Sequence, residues 1–157
     1  MPSVQTNIII QAPPELVKQK FFDYQSYPSW NPFMVSFHKY TNTSDPQLNE
    51  GDELQIDLKL KGMNHTSTIY PTILNKTDSS LVWKGALVSD WIFYGIHKFA
   101  IESLEGGTRT LFIQSESFGG LLVYILQLFG VFRRTQDSFI EFNEALKDEV
   151  EKLAHEC

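Results

Sequence analysis

His97 and Glu116 are the two residues whose types suit proton transfer and whose spacing can bring them together. Between them lies Glu105-Gly106-Gly107-Thr108, and paired glycines tolerate the positive φ angles of the tight turns that join hairpin strands. With Gly106 and Gly107 as the loop, residues 94–118 fold into one long antiparallel hairpin. Gly95 then faces Phe118, His97 faces Glu116, Phe99 faces Gln114, Ile101 faces Phe112 and Ser103 faces Thr110. Side chains alternate between the faces of a strand, so all of these share one face. A three-residue loop would shift the register and part the pair. A carboxylate beside imidazole stabilises imidazolium, while burial opposes either charge alone. Such a pair can act as acid and base near neutral pH, as enolisation, aldol closure or loss of water requires. It can equally be a hydrogen-bonded pair that fixes strand register or orients the polar end of a ligand.

The opposite face of the hairpin carries Lys98, Glu102 and Arg109 among Ile96, Ala100, Leu111 and Ile113, a mixed surface that can meet water. An apolar wall with a few convergent polar groups suits a small-molecule pocket. The chain holds twelve Phe, six Tyr and three Trp, more rings than a core of its size requires. Trp30, Phe33, Trp83, Trp91, Phe99, Phe112, Gln114, Phe118 and Phe139 are therefore the candidate ligand-binding residues. Trp83 and Trp91 have the shape to stack on a flat ligand, although Trp in a sheet core is at least as common. Tyr70, Tyr94 and Tyr124 are candidate polar handles.

The elements that must position these residues follow from periodicity. Residues 4–11, with three consecutive isoleucines, form a first strand. Pro13-Pro14 opens a helix, since proline suits a first helical turn, and Leu16, Val17, Phe21 and Tyr24 give it an apolar face. Two prolines in Tyr27-Pro28-Ser29-Trp30-Asn31-Pro32-Phe33 bar a long helix there; its aromatics either plug one end of the core or line a pocket mouth. Strands are expected at 34–40, 53–61, 65–74 and 81–88. The strand at 53–61 is the clearest, with Leu54, Ile56, Leu58 and Leu60 on one face and Gln55, Asp57, Lys59 and Lys61 on the other. Residues 81–88 place Trp83, Gly85 and Leu87 together. Residues 133–154 form a long amphipathic helix, its stripe made by Phe139, Phe142, Leu146, Val150 and Leu153. From Phe118 to Phe132 there is no charged residue, and Gly119, Gly120 and Gly130 stand near the ends. That run is short of the roughly 20 residues that cross a bilayer; it is a buried segment, a lid or an interfacial anchor.

Bulk properties narrow the function. A length of 157 residues, with no linker or repeat, gives a single domain, 1–157. The net charge of −6 removes the basic footprint that nucleic acid requires. Cys157 is the only cysteine, which excludes an internal disulfide and fits a reducing compartment. Without a secretory pattern at the N-terminus a cytoplasmic location is expected, and the sequons at Asn42, Asn64 and Asn75 are chance matches. Scattered histidines give no metal-ligand spacing, and no nucleotide fingerprint or Ser-His-Asp order occurs. Neither metal nor cofactor is expected.

The order of elements is strand, helical region, six strands, long helix. An antiparallel meander with one apolar face needs a covering layer, and the long helix is the available cover, an α+β arrangement. That order, with Ala12-Pro13-Pro14-Glu15-Leu16-Val17, Trp30-Asn31-Pro32-Phe33, Leu81-Val82-Trp83-Lys84-Gly85, Gly95-Ile96-His97-Lys98-Phe99 and Gln114-Ser115-Glu116-Ser117-Phe118-Gly119-Gly120-Leu121, resembles the START/birch-pollen-allergen-like (SRPBCC) superfamily in its polyketide cyclase/dehydrase branch. The resemblance spans nearly the whole chain. It implies a helix-grip fold: a curved antiparallel sheet of about seven strands wrapped around the C-terminal helix, enclosing an elongated apolar cavity. It also implies a small hydrophobic partner such as a lipid, sterol or polyketide, held by a carrier or sensor, with cyclisation or dehydration as the alternative. No stable membrane insertion is expected. The superfamily has no shared catalytic residue, so His97 and Glu116 rest on the pairing alone.

Overall fold

The computed structural model describes residues 2–87 and 89–156; Val88, the expected end of one strand, and Cys157 lie outside the described residues. Strand β1 (Ser3–Ile10) leads into helix α1 (Pro14–Phe22), a single 3-10 turn (Tyr24–Ser26) and the short helix α2 (Tyr27–Trp30). Strands β2 (Met34–Lys39), β3 (Leu54–Leu58), β4 (Ser67–Ile69), β5 (Thr72–Lys76), β6 (Ser80–Leu87), β7 (Phe93–Leu104) and β8 (Arg109–Gly119) follow. Helix α3 (Val123–Leu128) and the long helix α4 (Val131–Glu156) complete the chain.

All strand pairs are antiparallel, in the orders β1-β8-β7-β6-β5 and β2-β3-β4. The strand expected at 65–74 is two strands, which brings the count from about seven to eight. The break falls at Tyr70-Pro71, because proline has no N–H to give to a ladder. Its carbonyl still serves, accepting the Leu54 N–H at 2.9 Å. A bridge from Glu53 to Thr72 and the bonds Gly51 N to Ile73 O and Ile73 N to Asp52 O join the two groups of strands. Eight strands thus occupy seven rungs of one curved surface, with a notch where β4 gives way to β5.

Helix α4 lies across the concave side. Phe139, Phe142, Leu146 and Val150 are fully buried, and Leu153 is partly so. At the α1 end of the interior the rings of Phe21, Phe99, Phe112 and Phe142 contact one another at 4.9–6.4 Å between centroids. Burying each such side chain contributes about 1.5–3 kcal/mol, so this cluster holds the helix in the sheet. The Trp30-Asn31-Pro32-Phe33 stretch has a local logic. Asn31 Oδ1 accepts the N–H groups of Phe33 at 3.0 Å and Met34 at 2.8 Å, turning the chain from α2 into β2. The loop from β2 to β3 is tied by a buried ion pair: Lys39 Nζ lies 3.0 Å from Asp52 and donates to the carbonyls of Asp45 and Gln47.

Candidate functional site

The β7–β8 hairpin sets His97 opposite Glu116, Gly95 opposite Phe118 and Phe99 opposite Gln114. Its connection is longer than two residues. The ladder ends at Leu104 and Arg109, and φ is positive at Glu105 (50°), Gly106 (68°) and Gly107 (93°). One residue is released from each strand, so the register is the one that a two-residue loop would impose. The left-handed Glu105 is held by an ion pair between its carboxylate and Arg109.

His97 is buried with its ring between two phenyl rings, 4.2 Å from Phe99 and 4.7 Å from Phe139, both close to parallel. Its Nε2 lies 2.9 Å from Gln114 Oε1. Gln114 Nε2 donates to Asn143 Oδ1 at 2.9 Å, Asn143 Nδ2 donates to Thr6 Oγ1 at 2.9 Å, and Thr6 Oγ1 donates to the Gln114 carbonyl at 3.4 Å. The chain of donors assigns the tautomer: with the Gln114 amide nitrogen committed to Asn143, its oxygen faces the imidazole and Nε2 carries the hydrogen. Nδ1 is left as an acceptor facing Glu116, whose Oε2 is 3.9 Å away. That separation is too long for a hydrogen bond.

Burial pushes His97 down to about 3, against a smaller opposing effect of the Gln114 hydrogen bond. Burial pushes the Glu116 carboxyl up to about 8. The proton that would make imidazolium and carboxylate therefore stays on Glu116 at neutral pH. Both arrangements contain the same number of protons, and apolar surroundings favour the uncharged one.

Beside the pair the interior opens into a cavity of about 420 Å³, bounded by the inner face of the strands, α3 and the first turns of α4. Glu116 lines it, with 19% of its side chain accessible, whereas His97 does not reach it. Of the other candidates, Phe33, Trp83, Phe118 and the polar handle Tyr70 line the cavity. Phe99, Phe112, Gln114 and Phe139 lie behind it in the packed interior. Trp30 is partly buried beside Tyr27, its Nε1 donating to Ser26 Oγ. Trp91 is 68% exposed, apart from the lining. So the two readings of the 27–33 stretch divide between its residues: Trp30 packs and Phe33 lines.

Several lining residues were not among the candidates: Leu58, Leu60, Ile69, Gly85, Phe93, Gly95, Leu126, Val131 and Thr135. The alternation in 53–61 already carried the signal for Leu58 and Leu60. Gly85 and Gly95 are directly paired across β6 and β7; the Glu116 carboxyl lies over Gly95, and Gly85 leaves open floor beside it. A second depression, about 650 Å³, lies between α1 and the loop before β3, but Glu15, Lys18, Lys76 and Asp78 line it and suit it to water.

No family model and no curated protein matches the sequence significantly. Solved structures do match in shape. A START superfamily protein from Mycobacterium smegmatis superposes with a TM-score of 0.73 at 17% identity, covering 96% of this chain and 98% of that one. Zhui aromatase/cyclase from Streptomyces sp. R1128 gives 0.72 at 11% identity, covering 96% and 94%. The chain has the START-like helix-grip fold. Ara h 8.0201 shares it, with a TM-score of 0.61 at 13% identity over 96% and 98% of the two chains. Identities this low speak to the fold alone. Within this START-like chain no helix among the described residues is long and apolar enough to cross a membrane.

Proposed function

We propose that this START-like chain binds a small hydrophobic molecule, such as a lipid, sterol or polyketide, in the cavity between sheet and helix, as a carrier or sensor. The observation that supports it is the unfilled apolar volume of about 420 Å³ in an interior otherwise packed with rings. Ligand pockets run from about 300 to 1,000 Å³ and are mostly apolar with a few placed polar groups. Saturable uptake of an apolar fluorescent probe tests the reading. Gly85→Leu is the control: a Cβ there meets only Pro71 Cβ at 3.9 Å, so the backbone tolerates it while the side chain fills the floor. Probe uptake should be saturable in the native chain and lost in the variant. Uptake that is unaffected by Gly85→Leu would place the probe elsewhere and sink the proposal.

A second reading, a cyclase or dehydratase on a polyketide-like substrate, is favoured by Glu116 alone. It is a carboxyl that keeps its proton near neutral pH and faces the cavity. Glu116 would serve as general acid, giving its proton to the departing hydroxyl, and the carboxylate left behind would take the proton from the neighbouring substrate carbon. Glu116→Gln should then lower turnover by about 10²-fold or more, and unchanged turnover would end this reading.

A further inference from the structure

We infer that the cavity selects an amphiphile whose polar end is uncharged and accepts a hydrogen bond, seated on the Glu116 carboxyl, and that it rejects fatty-acid anions. This rests on the binding proposal above and names the class of ligand. Three observations carry it.

The first is that the Glu116 carboxyl faces the cavity with no hydrogen-bond partner among the described residues; His97 Nδ1, its nearest ionisable neighbour, is 3.9 Å away. Of the other polar side chains in the lining, Thr135 Oγ1 donates to the Val131 carbonyl and Thr68 Oγ1 donates to Asp57, while Ser67 and Tyr70 are exposed. Glu116 is thus a group with unspent hydrogen-bonding capacity in an apolar room. A ligand carbonyl or hydroxyl is the partner that would satisfy it, because a polar group buried without one is unfavourable.

The second is the charge of the lining. Among the described residues it includes no Lys, Arg or His. A carboxylate head would have to leave water, find no cation, and approach another carboxyl. An ammonium head would have to draw Glu116 into its ionised form, so that both charges are taken from water, a cost that the ion pair seldom recovers in full. The uncharged head meets neither penalty.

The third is shape. Gly85 bares the floor beside the Glu116 carboxyl, which itself lies over the paired Gly95, giving a head group room against the strands, while Leu58, Leu60, Ile69, Phe118 and Leu126 offer an apolar path for a tail.

The test is displacement of the apolar fluorescent probe from the whole chain at pH 7 by decanol, decanoate and decylamine. Decanol should displace it at a concentration at least about tenfold lower than either charged analogue. Relative to the probe's own affinity for the same variant, Glu116→Leu should weaken decanol by about 3- to 10-fold, the size of one hydrogen bond. Glu116→Gln, which retains a donor, should keep decanol within about 3-fold. Decanoate or decylamine equal to decanol overturns the inference, as does a decanol preference that survives Glu116→Leu. The comparison of heads in the native chain needs no variant, so it decides even if Glu116→Leu fails to fold. Probe uptake without head-group preference rejects this inference alone. Absence of any uptake rejects the binding proposal and this inference with it.

Discussion

Gly95 lies directly beneath the carboxyl of Glu116: a Cβ placed on Gly95 would fall well inside 3.0 Å of Glu116 Oε1 and 3.2 Å from its Cδ. The two residues are diagonal neighbours across β7 and β8, since Gly95 pairs with Phe118 and Glu116 with His97. The missing side chain at one position is what lets the carboxyl lie flat at the other. Gly95→Ala should therefore fold, because alanine is tolerated in a strand at least as well as glycine and the group it meets is the end of a flexible side chain. The carboxyl, however, must swing away. We expect decanol binding to weaken by about tenfold with an unchanged far-UV circular dichroism spectrum. Undiminished binding would show that the position of the carboxyl is irrelevant to the cavity.

The opposed protonation preferences of the pair predict a stability profile with two limbs. Glu116 is raised from 4.5 to about 8, so between those values the folded chain holds a proton that the unfolded chain has lost. Its contribution is fully present below pH 4.5 and declines as pH rises towards 8. His97 is lowered from 6.5 to about 3, so between those values the unfolded chain holds the extra proton. Its contribution is fully present above pH 6.5 and declines as pH falls towards 3. Each limb has a limiting slope of about 1.4 kcal/mol per pH unit. From pH 4.5 to 6.5 the two oppose each other, and the pair's contribution should be flat. Urea unfolding from pH 3 to 9 should show a plateau with losses on both sides. Glu116→Gln should remove the alkaline limb and leave the acid one. An alkaline limb that persists in that variant would have to arise elsewhere.

Asn143 is the hub of the buried polar chain. It accepts from Gln114 and donates to Thr6, linking α4 to β8 and β1. Asn143→Leu keeps the volume but orphans the Gln114 amide nitrogen, and a buried donor without a partner costs about 1–3 kcal/mol. A loss of about 2 kcal/mol in urea unfolding is expected. The diagnostic readout is the imidazole. Nitrogen NMR of the native chain should show His97 as the neutral tautomer protonated at Nε2, and the variant should release that preference, since the Gln114 amide is then free to turn over. A fixed tautomer in both proteins would mean that the Asn143 bond does not orient the ring.

The hairpin register was legible in the sequence because two independent signals agreed: a glycine pair at the turn, and apolar residues on one face once the strands were paired. The break at Tyr70-Pro71 could have been read from proline chemistry, but the apolar residues on either side concealed it. Thr6 and Asn143 are different. Each is a polar residue at an inward position, Thr6 between Val4 and Ile8 in the alternation of β1 and Asn143 one turn beyond Phe139 in α4, and both are buried. Polar residues at such positions mark a buried network, yet which ones meet depends on how α4 crosses the sheet. Periodicity within one element contains no such information. The same holds for the cavity: its floor glycines are visible in the sequence, but their being neighbours depends on the β6–β7 register.

The uncharged segment before α4 yields the last prediction. Val123 is buried and Leu126 lines the cavity, but Leu128 is 86% exposed and Phe129 75%, with Leu121, Tyr124 and Ile125 also exposed. Little apolar burial therefore holds this cover down, and six residues of helix are too few to be stable alone. Its two ends differ. Gly120, at φ +97°, is packed against the backbone of Ile92, and the Leu121 and Leu122 amides donate to the carbonyls of Trp91 and Ile92 at 3.0 and 2.9 Å. Gly130, at φ +71°, has open space where a side chain would be. A gate built this way should pivot on the anchored end and lift from the Gly130 end. Hydrogen exchange should then be fastest over residues 126–130, slower at 121–122, and slowest over residues 137–150, and bound decanol should slow the first group most. Gly130→Ala introduces a left-handed alanine, unfavourable by about 1–2 kcal/mol, into the closed form and should speed that exchange. Protection over 126–130 equal to that of α4, with no response to decanol, would make the segment a fixed wall of the cavity, and access would have to be sought at the notch between β4 and β5.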